Sequence, residues 1–532
     1  TIPPMPGIRA GTRSVVLALL LLPGVVVPSA PQSATTPPQP SLVLRASTYL
    51  VRVEVVVRDR GGKPVTGLQA ADFDVREDGA SQRVEFFSSG PHADATREPL
   101  PPGMVSNQPD LAGPRRGLTV VLIDSLNTAW EHRAQAVVNL RKFLEGAHPD
   151  DRIAIYTLGN ELKVFHEFTS DARALRRKLD RFDSEMGEGR SESPLLDAVL
   201  SPEAAALRRW ASGTEEEARA TMRAETTFEA LETIANHLGS TPGWKSLVWI
   251  GGGVPLHLDA GRPLGGGMGS RATSGGRSFE PEFDRAVRAF TRSNVAVYPI
   301  DPSGLQDLPV SSGGWRALQT TSMLEQLAAS TGGVAYTGRN DILQALRRVT
   351  DDAQASYTLA YYPVEAKPDG RFRKIQVRVK KNGLVATHRR GYYAAPPRDP
   401  AGEDPAKAVR AMARAVLDEA VIGVAVGLDA SPDGPRLIAR IDAAELLWPD
   451  KNAFKAAAHV GVFQYDSAER ELAGVVDEID LTCDASRAAL LSKHGLAYNR
   501  QLDLNPATVR IKMVVRSVRT GAAGTVNLPV LK

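Results

Sequence analysis

Gly117-Leu-Thr-Val-Val-Leu-Ile-Asp-Ser-Leu-Asn-Thr128 decides how this chain reads. Six mostly branched apolar residues, Leu118 to Ile123, stop abruptly at Asp124-Ser125-Leu126-Asn127-Thr128. Near-continuous hydrophobicity marks a strand buried on both faces, as in a parallel sheet covered by helices. The polar segment then falls at the carboxyl end of that strand, where open α/β sheets place their ligand sites. Beyond it Ala134, Val137, Val138 and Leu144 share one helical face, with Arg133, Arg141, Lys142 and Glu145 mostly elsewhere. Thr128-Ala-Trp-Glu131 has the form of a capping box opening this helix.

The same alternation continues downstream. Arg152 to Gly159, Lys245 to Ile250 and Asn294 to Asp301 read as buried strands, with a short alternating one at Lys163 to Phe168. Helices are predicted over 171–182, 280–293 and about 340–353. Thr226-Thr-Phe-Glu229 and Ser322-Met-Leu-Glu325 have the capping-box form and are expected to open two more. Residues 117–353 are thus expected to form a doubly wound, mostly parallel α/β sheet with helices on both faces.

The flanks read as β structure. Val51, Val53, Val55 and Val57 share one strand face, and residues 45–88 form a small β module. Residues 89–116 are Pro-rich and aperiodic, a linker. Tyr357, Leu359 and Tyr361 alternate, as do Ile375, Val377 and Val379, within a segment at 354–395. That segment is too small to stand alone and is expected to pair with the 45–88 module. A second linker at 396–405 leads to a C-terminal β-rich domain, 406–532, for which a sandwich is the expected form.

Composition narrows the function. Hydrophobic content of 42% with 23% charged residues is ordinary for a globular protein. The net charge of +3, from 64 basic and 61 acidic residues, gives no electrostatic case for nucleic acid. A single cysteine, Cys483, excludes an intramolecular disulfide framework and a Cys-based metal cluster. At the amino terminus Arg9 and Arg13 precede an apolar run from Ser14 to Val27, followed by Pro28-Ser-Ala30 and Gln32-Ser-Ala34. Residues 1–34 therefore read as a secretory signal and leader, with cleavage and retention as an anchor both open. The run is broken by Pro23 and short for a bilayer, and no later stretch is expected to span one.

A strand ending in Asp-x-x-x-Thr, a helix, two strands, a Thr-led helix and an apolar strand ending in glycines resembles a von Willebrand factor type A (VWFA) domain. Val55-Val-Val-Arg-Asp59, Gly67-Leu68, Asp72-Phe73, Glu77-Asp-Gly79, Pro242-Gly-Trp-Lys-Ser-Leu247 and Arg389-Arg-Gly-Tyr392 are similar to a bacterial, exported family of VWFA-related proteins. The resemblance covers roughly residues 45 to 395. It implies a doubly wound fold and a metal-ion-dependent adhesion site for Mg²⁺, Mn²⁺ or Ca²⁺, whose open position accepts a partner's carboxylate. On that pattern Asp124 fills the first ligand position and Thr128 the second hydroxyl, while Leu126 stands where the first hydroxyl belongs. Thr226 or Thr227 would supply the distant Thr, and Asn127 and Ser125 are substitutes. The final acidic position falls in Gly251-Gly-Gly253, which has no carboxylate. Helix capping by Thr128 and Thr226, with Asp124 on backbone N–H groups, is the competing reading and needs no metal.

Enzyme motifs are missing: there is no Gly-x-Ser-x-Gly elbow, His-Glu-x-x-His or Gly-Lys-Ser/Thr loop. The sequence is thus expected to encode an exported, non-enzymatic protein that binds a protein partner through a degenerate adhesion site, with Mg²⁺ or Mn²⁺ as the candidate ion. The alternatives are a metal-free structural envelope or assembly component, and an exported hydrolase or processing factor with an unrecognised site.

Overall fold

The computed structural model describes residues 50–89, 100–101, 103–108, 117–185, 202–239, 245–258, 277–304, 312–339, 341–364, 369–394, 404–415, 417–431, 434–450 and 453–530. Residues 1–34, expected to be a signal and leader, lie outside the described residues, as does most of the expected linker at 396–405.

Five strands form the central sheet, in the spatial order Val295–Ile300, Lys245–Ile250, Leu118–Asp124, Arg152–Leu158, Leu162–Thr169. The first four run parallel, with Leu118 opposite Lys245 on one side and Arg152 on the other. Leu162–Thr169 closes the edge antiparallel. All seven residues of Leu118–Asp124 are buried, which is why that stretch is apolar without alternation.

Alternate residues of these strands feed two separate cores. Val120, Leu122, Tyr156, Trp249 and Val297 pack under the helices Pro202–His237, Glu280–Arg292 and Ser312–Thr331. Val121, Ile123, Ile155, Val248 and Tyr298 pack under Trp130–Glu145, Ala172–Glu185 and Ile342–Gln354. Helices on both faces of a mostly parallel sheet give the doubly wound α/β class that the alternation predicts.

Val51–Arg58 lies antiparallel between Ser356–Tyr361 and Val385–His388, and Phe73–Glu77 pairs with Phe372–Val379. The two four-stranded sheets built this way enclose Val51, Val53, Val55, Phe73, Tyr357, Tyr361 and Ile375. Chain segments on either side of the α/β sequence therefore complete one β core. Further on, Val424–Ser431 and Gly434–Ile441 belong to one sheet, and Ala453–Tyr465, Arg510–Ser517 and Ala523–Pro529 to another. Val424, Leu437, Val460 and Met513 pack between them. The Pro-rich stretch at 89–116 contributes here too, since Val105–Ser106 adds a short strand to Val424–Ser431.

Two joints lock these layers to the α/β sheet. Val56 enters the core beneath Trp130–Glu145, and Arg58 forms a buried ion pair with Asp352. Leu417 enters the opposite core, while Ala420 N–H donates to Asn236 O at 3.1 Å.

Two helix starts differ from the sequence reading. Thr226 does not open a helix, because Pro202–His237 runs continuously through it. Ser322 likewise sits inside Ser312–Thr331. The capping-box pattern fits any helix carrying Thr or Ser three residues before Glu, and here the preceding chain is helical as well.

Candidate functional site

Asp124 ends the central strand with its side chain fully buried. Its Oδ1 accepts the backbone N–H groups of Leu126 (3.0 Å) and Asn127 (2.9 Å). Its Oδ2 accepts Asn127 Nδ2 (2.9 Å) and Trp249 Nε1 (3.1 Å). Four donors converge on one carboxylate, so the loop 125–128 is wrapped around its own anchor, as a short acidic side chain does at a turn. Burial pushes the Asp124 carboxyl above the usual range, opposed by the hydrogen bonds from Asn127, Trp249 and Leu126. Burial also lowers the Arg133 guanidinium, with the Asp124 charge acting in the other direction. Arg133 Nη1 donates to Ser125 O at 3.3 Å and holds the loop from outside.

Thr227, rather than Thr226, is brought to this loop. Its hydroxyl accepts Asn127 Nδ2 at 2.8 Å and donates to Arg223 O at 2.7 Å. Asn127 thereby bridges Asp124 and Thr227 with one amide nitrogen. Thr128 makes no cap: the helix Trp130–Glu145 starts from Ala129 without a side-chain capping bond. Among the described residues the buried Thr128 Oγ1 has no hydrogen-bond partner.

Gly251 explains the missing acidic ligand. A Cβ there would stand 2.7 Å from Asp124 Cβ and 2.9 Å from both Asp124 Oδ2 and Trp249 Nε1. The Asp124–Trp249 bond thus occupies the space a carboxylate at 251 would need. Gly252 is equally close, its Cβ position lying 2.8 Å from Asn127 O.

This arrangement does not fit a divalent ion. Each Asp124 oxygen already accepts two N–H donors, so the roughly four acceptor positions of the carboxylate are taken and none is left for a cation. The Asn127 amide lies between the carboxylate and the Thr227 hydroxyl, the two groups an ion would bridge. Among the described residues no group of three His, Cys, Asp or Glu side chains could hold a metal. The role of Asn127 and Trp249 was not legible in the sequence; a Trp two residues before Gly251 was the available sign.

No family model matches the chain. No curated protein matches it either. Among solved structures it is similar to an aerotolerance-related membrane protein of Bacteroides fragilis, with 12% identity and a TM-score of 0.25 over 44% of this chain and 98% of that one. It is similar to the conserved hypothetical protein BatB of Bacteroides thetaiotaomicron, with 13% identity and a TM-score of 0.24 over 44% and 95%. It is also similar to the vWF domain of the type V pili tip protein Mfa5 of Porphyromonas gingivalis, with 12% identity and a TM-score of 0.26 over 44% and 93%. The doubly wound α/β fold is shown by this chain's own strand order, register and two helical layers.

Proposed function

We propose that this chain is an exported, non-enzymatic protein-binding protein that engages its partner with the carboxyl end of the parallel sheet, without a bridging cation. The observation that carries the reading is the closed network of Asp124, Asn127, Thr227 and Trp249 beneath the 125–129 loop. A loop fixed from below loses little conformational entropy on binding. Directly after it stands Trp130, 47% exposed at the start of its helix, and exposed Trp is the residue type most enriched among interface anchors. Export is supported by the basic, apolar and small-residue order of residues 9–34. The flanking β layers, joined to the sheet through Val56 and Leu417, serve as rigid supports.

The test is capture of envelope and secreted proteins on the immobilised chain, wild type beside Trp130→Ser, each with and without EDTA. Calorimetric titration of Mg²⁺ and Mn²⁺ into the wild type runs alongside. Capture that survives EDTA and is lost in Trp130→Ser supports the proposal. Saturable ion binding coupled to EDTA-sensitive capture overturns the metal-free mechanism, and capture indifferent to Trp130 overturns the choice of face.

A further inference from the structure

Among the described residues, the C-terminal sheet ends in a strand that pairs on one side only. Glu471–Cys483 is a strand of 13 residues, roughly 40 Å long at the usual rise. It lies antiparallel to Ala453–Tyr465, in register from Phe454 opposite Cys483 to Tyr465 opposite Glu471. Its only irregularity is at Gln464/Tyr465, next to the Glu471 end, so the rest of the ladder is unbroken. Among the described residues no strand pairs with its other side. Every second N–H and C=O of this strand therefore points away from the sheet, and none of its residues is fully buried.

Long edges are usually guarded against pairing by lysine, proline, a bulge or an inward charge. Leu472 to Cys483 contains no lysine and no proline. The one inward charge is Asp477, and it is neutralised from the facing sheet: Tyr498 Oη donates to it at 2.5 Å, and Arg500 forms an ion pair with it. Glu471, at the start, is held by Arg410 at 3.0 Å. Glu478 and Asp480 are exposed and make no ion pair among the described residues. Their cross-strand neighbours are His459 and Ala457. The nearby Lys455 pairs with Asp450 at 2.7 Å and lies close enough to Asp480 to feel its charge, so Glu478 is the less compensated of the two.

We infer that the Glu471–Cys483 edge receives an extended, basic segment of a partner protein as an added antiparallel or parallel strand. Backbone pairing supplies the affinity in such a mode, and alternate side chains supply the selectivity. Glu478 and Asp480, two residues apart, project on the same side of the strand and select lysine or arginine at alternate positions of the incoming segment. The same acidic side chains disfavour a second copy of this chain, because antiparallel self-pairing would bring like charges together. This surface belongs to a different sheet from Asp124, and the inference does not rest on the proposal above.

The test uses the full chain and the fluorescein-labelled probe acetyl-Lys-Thr-Lys-Val-Lys-Thr-Lys-amide, read by anisotropy. Two controls accompany it: the same peptide with every backbone amide N-methylated, and its Glu-for-Lys counterpart. Saturable binding of the lysine peptide alone is expected. Glu478→Lys together with Asp480→Lys is expected to weaken it roughly tenfold, with an unchanged circular dichroism spectrum. Equal binding of the N-methylated peptide would reduce the effect to charge and overturn the inference. So would absent binding, or a wild-type chain that sediments as a dimer dissociated by the double substitution. The N-methyl comparison is made on wild-type protein, so it decides the matter even if the variant fails to fold.

Discussion

Asn127 donates one amide nitrogen to two acceptors, Asp124 Oδ2 and Thr227 Oγ1, and so ties a strand end to a helix on one face of the sheet. Asn127→Ala removes both bonds while Asp124 stays buried, a loss of about 1–3 kcal/mol in urea denaturation at neutral pH. Lys245, at the start of its strand, borders a small polar cavity with Glu54, Asn294, Thr331 and Arg389. Burial pushes its ammonium down from 10.5 to about 7, with Glu54 opposing and Arg52 adding to the shift. Between about 7 and 10.5 the unfolded chain holds a proton that the folded chain has lost, so this group makes stability rise with pH across that window. Above 10.5 and below about 7 its contribution is flat. Lys245→Met is expected to flatten the pH dependence of stability between 7 and 10 while leaving the slopes outside that window as in the wild type. Guanidinium titrations at several pH values check both.

At the scale of elements, the glycine step after Lys245–Ile250 decides what the strand end can be. Gly251→Asp restores the acidic residue that the adhesion-site pattern expects. Its Cβ would nonetheless stand 2.7 Å from Asp124 Cβ and bring a second carboxylate to a buried first one. A loss of about 3 kcal/mol or more is expected, with no gain of Mg²⁺ affinity by calorimetry. The strands and amphipathic helices were legible because period and apolar run length report burial directly. The interior of long helices was not: Thr226 and Ser322 carry capping-box spacing inside Pro202–His237 and Ser312–Thr331. The spacing is local, whereas whether the chain before it is already helical depends on what that chain packs against. Thr227 illustrates the result. Mid-helix, its hydroxyl donates back to Arg223 O and is left with acceptor capacity for Asn127.

Across the whole molecule, residues far apart in sequence close the layers on one another. Arg389 donates to Thr291 O in the α/β layer and to Arg52 O in the β layer, beside Lys245 and Glu54. On the other side Leu417 is buried in the α/β core, and His237 Nδ1 meets Asp418 O at 2.7 Å. Leu417→Ala is expected to cost about 2–5 kcal/mol. Hydrogen exchange would show faster opening of the Ala420 and Ile422 amides, which bond Asn236 O and Ala523 O. Unchanged protection there would mean that the joint does not depend on Leu417.

The α/β class and the place of Asp124 at a strand end can be read from the residues alone. Continuous and alternating hydrophobicity record how many faces of a strand are covered, and a polar break records where the strand stops. On the resemblance to VWFA domains, Leu126 and Gly251 leave two ligand positions of an adhesion site unfilled. What fills the remaining space is set by how the folded chain packs. Trp249 lies 125 residues from Asp124 and Thr227 lies 100 from Asn127, and no local pattern encodes that they meet. Hydrogen bonds of that range are fixed by sheet register and helix packing, which depend on every contact in the core at once.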